Sequence, residues 1–258
     1  MASDMSDFKG IFREERHFCN HLFRLLCYRK EDGGKDSGLG QFLTLADLPI
    51  DITVNTVSGA EVYTEVAVFR DFYYYHPSRE GFLLDLYDTF LPMMQEQYRG
   101  KITTPTPLRD LLPELQGVHP RLFSRRVGPR EENRLFYREF SALFSAKPDL
   151  LLVCDGLMVW VEVKFWTAFS RAQLRRTQNI ANLCSSDLFA PVFGNKPNRV
   201  MKLGTKRNVQ IRKEGDFIDW ADVGDVAERL LPHGANNYTA QALRGLTDLD
   251  GERSKGDD

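Results

Sequence analysis

The chain of 258 residues is 42% hydrophobic and 27% charged, an ordinary balance for a globular protein. Its N-terminal stretch, MASDMSDFKG, has no basic start followed by an apolar run, and no stretch approaches the roughly 18 apolar residues of a transmembrane helix. These features argue against a secretory signal and a membrane span, and they predict a soluble cytoplasmic protein.

The charge is distributed unevenly along the chain, although the formal net charge is only −2. Between Lys164 and Lys213 there are eleven Lys or Arg residues and one acid, Asp187. This asymmetry predicts a basic face that suits a polyanion such as a nucleic acid. The alternative is a basic surface that is solvated and binds nothing.

The four cysteines are Cys19, Cys27, Cys154 and Cys184. They form no CxxC pair and no Cys/His cluster with zinc-ligand spacing. Buried thiols are therefore the favoured interpretation.

The N-terminal half combines predicted helices with one β-like stretch. Residues 8–30 have apolar side chains at helical spacing, and Glu15 lies on the same side of that helix. The stretch EVYTEVAVFRDFYYY within residues 41–78 is typical of β-structure. Residues 79–98 predict a helix with a kink or break at Pro92. Residues 101–130 are rich in Pro and Arg, which predicts a loop or two short helices.

The second half contains the clearest pattern. Residues 131–145 suit either a strand or a helix. Residues 149–154 and 157–165 are predicted strands joined by the two-residue turn Asp155-Gly156, a strong hairpin signal. A helix is predicted for residues 167–184 and a further strand after it. This order of elements indicates an α/β protein, with a disordered tail at residues 248–258.

Charged residues interrupt this most hydrophobic hairpin. Because side chains alternate between the two faces of a strand, one face carries Trp160, Glu162 and Lys164, and the core face carries Val161, Val163 and Phe165. With the turn at 155 and 156, Asp149 pairs near residue 162 in antiparallel register. Asp149 and Glu162 are therefore expected to converge beside Lys164.

Two neighbouring carboxylates repel each other unless a cation lies between them. Oxygen ligands of this kind suit Mg²⁺ or Mn²⁺. A metal ion and the water molecule that it activates can together hydrolyse a phosphodiester. The alternative is an edge hairpin whose charged face is solvated.

The pattern PD-x12-ExK, with Asp149, Glu162 and Lys164, resembles the PD-(D/E)XK nuclease superfamily. The resemblance covers residues 136–215 and, more weakly, the first helix. It implies a restriction-endonuclease-like fold, in which a mixed central sheet is flanked by helices. It also implies that Asp149, Glu162 and the main-chain carbonyl of Val163 bind Mg²⁺ or Mn²⁺, and that Lys164 positions the attacking water.

Members of this superfamily often carry a further acid on the first helix of the core. Glu15 is the candidate here, and Glu139 is its rival; an alternative for Glu15 is a role at the helix dipole or in an ion pair. Five residues are candidates for binding nucleic acid: Arg125, Arg126, Gln173, Arg175 and Arg176. For Gln173 and Arg176 a solvated helix face is the alternative.

The resemblance predicts one nuclease-like domain over residues 1–247. Its core comprises about residues 8–30 and 131–232, and about residues 31–130 form an insertion or subdomain. The expected activity is a metal-dependent nuclease acting on DNA rather than RNA, in restriction, repair or defence. A catalytically silent nucleic-acid-binding protein of the same fold is the alternative. A homodimer, or a subunit that depends on a partner protein, also stays open.

Overall fold

The computed structural model describes residues 15–31, 33–99, 102, 104–164, 168–205 and 216–231. Contacts between residues divide the chain into two units. The first, here called the sheet unit, comprises Met1–Thr64, Asp149–Arg171 and Arg199–Asp258. The second, the helical unit, comprises Glu65–Pro148 and Ala172–Asn198.

The described strands form one five-stranded sheet in the order β1-β2-β3-β4-β5. Strand β1 pairs antiparallel with β2, β2 pairs antiparallel with β3, and β4 pairs parallel with β5. The sheet is therefore mixed, and helices flank it, as the sequence predicts. The strands are β1 (Glu61–Thr64), β2 (Leu150–Cys154), β3 (Leu157–Val163), β4 (Asn198–Gly204) and β5 (Phe217–Asp219).

The described α-helices are distributed over both units. Those that belong to the sheet unit are α1 (Glu15–Cys27), α2 (Gly38–Leu45), α3 (Val54–Ser58) and α11 (Trp220–Leu230). The helical unit contains α4 (Val68–Tyr75), α5 (Arg79–Tyr98), α6 (Leu108–Leu115), α7 (Phe123–Val127), α8 (Glu131–Leu143), all but the first residue of α9 (Arg171–Cys184), and α10 (Ala190–Phe193). Short 3₁₀ helices occupy Gly34–Asp36, Pro120–Leu122 and Asp187–Phe189.

The prediction of β-structure through residue 75 is wrong beyond β1. Helix α4 replaces it, because its apolar side chains recur at helical spacing and bury against other aromatic rings. Phe69 lies 5.3 Å from Phe189 between ring centroids, and Phe72 lies 4.8 Å from the same ring. Helix packing thus outweighs the strand preference of Val, Phe and Tyr.

The ambiguous segment 131–145 is a helix, α8. Its buried side chains at positions 133, 136, 137 and 140 follow the spacing of one helical face. The predicted helix at residues 79–98 is confirmed with those bounds, but the chain continues through Pro92 without a break. Pro92 has no backbone N–H, so the carbonyl of Asp88 lacks its usual hydrogen-bond donor in the helix. Both residues are exposed to solvent.

The predicted hairpin is confirmed. Leu150 pairs with Val161 and Leu152 with Val159, which is the register that the two-residue turn requires. Gly156 has φ of 79°, the left-handed conformation that glycine adopts without steric cost. Several predicted features lie outside the described residues. They are the chain before Glu15, the segment 165–167 with Phe165, residues 206–215 and the predicted tail at 248–258.

The core of the sheet unit lies on one face of the sheet. Strand β3 contributes Val159, Val161 and Val163, and β2 contributes alternate residues from Leu150. Apolar side chains of α1, α2 and α11 pack on this face; they include Leu22, Leu25, Phe42, Leu43, Val223 and Val226. Alternation therefore directs Glu162 to the opposite face of the sheet.

Among the cysteines, Cys19, Cys154 and Cys184 are buried as predicted, whereas Cys27 is exposed. Within the part of the chain that the structure describes, no helix is long and apolar enough to cross a membrane.

Candidate functional site

The charged residues of β3 lie on a buried face of the sheet. Trp160 is fully buried, and the exposed fractions are 2% for Glu162 and 9% for Lys164, which directly follows the strand. Strand β3 lies between β2 and β4, and all its residues are buried. The alternative of a solvated edge hairpin is therefore wrong.

Asp149 lies where the sequence pattern places it, directly before β2. Continuing the β2–β3 register by one residue sets Asp149 opposite Glu162. The Asp149 Oδ2 atom accepts a hydrogen bond of 2.8 Å from the backbone N–H of Val163. This bond fixes the carboxylate at the end of the hairpin, between the positions of Glu162 and Lys164.

The end of β3 is held from the other side by β4. The backbone N–H of Lys164 donates to the carbonyl of Leu203 over 2.8 Å. The side chain of Val163 is in the core, so the group that Val163 can offer to a ligand is its main-chain carbonyl. Backbone pairing on both sides therefore positions all three residues of the predicted motif.

Sequence reasoning missed Lys202 in β4, a further charged residue on this face. Its neighbours Met201 and Leu203 point into the core, so Lys202 points to the face that carries Glu162. Its exposed fraction is 3%. The alternation in RVMKLG is the signal that identifies it. We call the surface formed by Asp149, Glu162, Lys164 and Lys202 the charged face.

The donor set of the charged face fits a hard divalent cation. It offers two carboxylates, Asp149 and Glu162, together with the Val163 carbonyl. No group of three or more His, Cys, Asp or Glu with metal-ligand geometry occurs within the described residues. Mg²⁺ retains several waters and needs only one or two carboxylates, so this set suits Mg²⁺ or Mn²⁺ better than Zn²⁺, which binds His and Cys.

Glu15 is the first described residue of α1. That helix packs through Leu22 and Leu25 on the core face, which is opposite to the face that carries Glu162. The side chain of Glu15 lies outside the described part of the chain. Its role as a further acid stays a prediction.

Glu139, the rival to Glu15, lies on α8 in the helical unit, with its side chain 1% exposed. Its Oε1 atom is 3.1 Å from the Arg138 guanidinium and 3.7 Å from that of Arg175. Its Oε2 atom is 3.6 Å from Nε of Arg176. The immediate surroundings of Glu139 are thus cationic, which disfavours a metal ion there.

Tyr98 at the end of α5 completes this group. The Arg175 guanidinium lies over the Tyr98 ring, 5.1 Å from its centroid. Burial raises the pKa of the Tyr98 phenol, the Glu139 charge raises it further, and the three arginines partly offset both. We call Tyr98, Arg138, Glu139, Arg175 and Arg176 the arginine cluster.

The remaining predicted nucleic-acid contacts are distributed over the helical unit. Gln173 is half-buried near the start of α9, and Arg125 and Arg126 are exposed in the last turn of α7. The alternative of a solvated helix face does not hold for Arg176, because its guanidinium lies beside the Glu139 carboxylate.

The fold and the charged face define a mixed α/β protein in which Asp149, Glu162, Lys164 and Lys202 lie on one face of the sheet. No protein-family model, no curated protein and no solved structure matches the chain. The function of the protein is therefore inferred from the site itself.

Proposed function

We propose that this protein is a Mg²⁺- or Mn²⁺-dependent nuclease of the PD-(D/E)XK type, with a restriction-endonuclease-like fold. The observation that carries the proposal is the buried Glu162, set opposite Asp149 by the hairpin register and followed by Lys164. A carboxylate is rarely buried beside another one without a cation to balance them. A central strand of a mixed sheet is also the setting that the PD-(D/E)XK pattern implies.

The residues of the charged face would have two different roles, metal binding and orientation of the attacking water. Asp149, Glu162 and the Val163 carbonyl would hold the divalent ion, which polarises a phosphoryl oxygen and acidifies a bound water. Asp149 is already oriented for this role, because one of its carboxylate oxygens accepts a hydrogen bond from the Val163 N–H.

Lys164 is a buried lysine two residues after Glu162. Its side chain would orient the attacking water by hydrogen bonding and stabilise the negative charge that develops on the phosphate. Because Lys164 is 9% exposed, few water molecules screen its charge. Its backbone bond to Leu203 keeps the side chain at the end of β3.

Exposed basic side chains support a nucleic-acid substrate. Arg125 and Arg126 on α7 are available to phosphate groups, and such contacts contribute affinity that does not depend on sequence. Gln173 and Arg175 on α9 are further candidates. DNA is proposed over RNA because the resemblance to the superfamily favours it.

The test is cleavage of circular DNA, linear DNA, single-stranded DNA and RNA, each with Mg²⁺, Mn²⁺ or EDTA. We expect cleavage that needs the metal and that falls about a hundredfold or more in Lys164→Ala, since a group that stabilises transition-state charge is lost. Lys35→Ala is the matched control, because Lys35 is an exposed lysine of the same unit.

Cleavage in EDTA, or full activity in Lys164→Ala, would contradict the proposal. Absence of cleavage with equal nucleic-acid binding by wild type and Lys164→Ala would instead favour a catalytically silent binding protein.

A further inference from the structure

The arginine cluster contains more positive than negative charge. Among the described residues, the guanidiniums of Arg138, Arg175 and Arg176 all lie within 3.7 Å of one carboxylate, that of Glu139. One carboxylate balances one guanidinium, so the cluster has an excess of two positive charges. Such an excess, partly withdrawn from water, attracts an anion.

The cluster also contains buried donors without acceptors. Within the described residues, Nε of Arg175, Nε of Arg176 and Oη of Tyr98 are buried and have no hydrogen-bond partner, and Oε2 of Glu139 has none either. A movement of a few tenths of an ångström would join Arg176 Nε to Glu139 Oε2, now 3.6 Å apart. Two donors, Arg175 Nε and Tyr98 Oη, would still lack an acceptor.

These two donors belong to neighbouring groups. The Arg175 guanidinium lies over the Tyr98 ring and 3.7 Å from the buried Glu139 carboxylate. The arginines remain reachable from solvent, since their side chains are 33% exposed for Arg175, 39% for Arg176 and 56% for Arg138. A buried donor without a partner is unfavourable, and a bound acceptor would remove that cost.

The chemistry of the donors identifies the class of acceptor. Guanidinium forks bind planar carboxylates and tetrahedral phosphates in two-point contacts, and a phenolic O–H adds a third donor. Among these anions, inorganic phosphate and a terminal phosphate group carry close to two negative charges at pH 7, which best matches an excess of two positive charges. A metal cation would be repelled by the same groups.

We propose that Tyr98, Arg138, Arg175 and Arg176 form a binding site for a phosphate group, and that Glu139 is the positioning residue that holds the arginines in place. The site lies wholly within the helical unit. Its assignment to a phosphate of a nucleic acid rests on the proposed nuclease function, whereas binding of inorganic phosphate does not.

The test follows the Nε–H signals of arginine by NMR in the isotope-labelled full chain, in EDTA, during titration with inorganic phosphate. In a second arm a single-stranded DNA oligonucleotide replaces phosphate. We expect saturable shifts of the signals that Arg175→Lys and Arg176→Lys remove. The dissociation constant for phosphate should rise about tenfold or more in Arg175→Lys, because one charged hydrogen bond is lost.

Two further variants sharpen this test. Tyr98→Phe removes only a hydroxyl group and should weaken phosphate binding several-fold, so it serves if Arg175→Lys does not fold. Arg109→Lys, at an exposed arginine on α6 of the same unit, should bind phosphate as the wild type does. Absence of a saturable shift, or equal affinity in wild type, Arg175→Lys and Tyr98→Phe, would overturn the proposal.

The two proposals fail separately. Phosphate binding that depends on the cluster, in a protein that cleaves no nucleic acid, would leave this site in place and refute the nuclease. Binding of inorganic phosphate without competition by the oligonucleotide would assign the site to free phosphate. Lys164-dependent cleavage without any phosphate binding would refute the site alone.

Discussion

Two glutamates of this protein are equally buried and have different neighbours. Glu162 in the sheet unit and Glu139 in the helical unit are both 2% exposed. Glu162 lies opposite a second carboxylate, that of Asp149, whereas Glu139 lies within 3.7 Å of three guanidiniums. Burial alone therefore does not indicate what a carboxylate does; the charges beside it decide.

The contrast extends to the kind of ion that each region could bind. The charged face brings two acids together, and a divalent cation would relieve their repulsion. The arginine cluster has surplus cations and donors, and an anion would satisfy them. A metal-dependent nuclease of the proposed kind would use both charges, because its substrate is an anion and its metal ion a cation.

The largest expected effect is that of Glu162→Gln on cleavage. The variant keeps the size of the side chain and removes the charge that would hold the metal. We expect cleavage to fall about a hundredfold or more, as for other losses of electrostatic stabilisation. We also expect Mg²⁺ to raise the Tm of the wild type by binding preferentially to the folded chain, and to leave the Tm of Glu162→Gln unchanged.

Asp155→Asn is the matched control for Glu162→Gln, because Asp155 is an exposed acid in the turn of the same hairpin. It should keep both cleavage and the Mg²⁺ effect on Tm. If Glu162→Gln still gains stability from Mg²⁺, the metal binds elsewhere and the charged face is not its site.

An intermediate effect is expected from the same substitution at Glu139. Glu139→Gln leaves three guanidiniums without their carboxylate, so the free energy of unfolding should fall by about 2 kcal/mol, less than for a fully buried pair because the arginines are partly exposed. Urea denaturation measures this. The Mg²⁺ effect on Tm should be unchanged.

Glu114→Gln is the matched control for Glu139→Gln. Glu114 pairs with Arg130 over 3.0 Å, but both side chains are exposed, so the loss should stay under about 1 kcal/mol. If Glu139→Gln instead abolishes the Mg²⁺ effect, Glu139 is the further acid of the metal site, and its pairing with arginines is secondary.

The hairpin could be predicted from the sequence because its determinants are local. Asp155-Gly156 fixes the turn and therefore the register, and alternation assigns Val161 to the core and Glu162 to the other face. Lys202 obeys the same alternation. It was missed because a single lysine in a short strand is ordinary until the neighbouring strand is known.

Residues 68–75 and the arginine cluster could not be predicted in this way. Val, Phe and Tyr favour strands, yet α4 forms because Phe69 and Phe72 pack against Phe189, which is distant in sequence. Glu139 and Arg175 likewise meet only after α8 and α9 have packed together. Non-local contacts of this kind leave no short-range pattern in the sequence.

The smallest expected effect concerns Tyr98 and the charge beside it. Burial and the Glu139 carboxylate both raise the pKa of this phenol, so the folded chain holds the proton more tightly than the unfolded chain. The stabilisation is therefore complete below the ordinary tyrosine pKa of about 10 and is lost as the pH rises through the raised value. Tyr98→Phe should lose less stability than the wild type in that alkaline range.

Glu139→Gln should lower the pKa of Tyr98, because one cause of the elevation is removed while the three arginines remain. The difference in tyrosinate absorbance between each protein and its Tyr98→Phe counterpart isolates this one phenol. An unchanged pKa in Glu139→Gln would mean that the carboxylate does not act on Tyr98. Burial, partly offset by the three arginines, would then account for the raised pKa of Tyr98 without a contribution from Glu139.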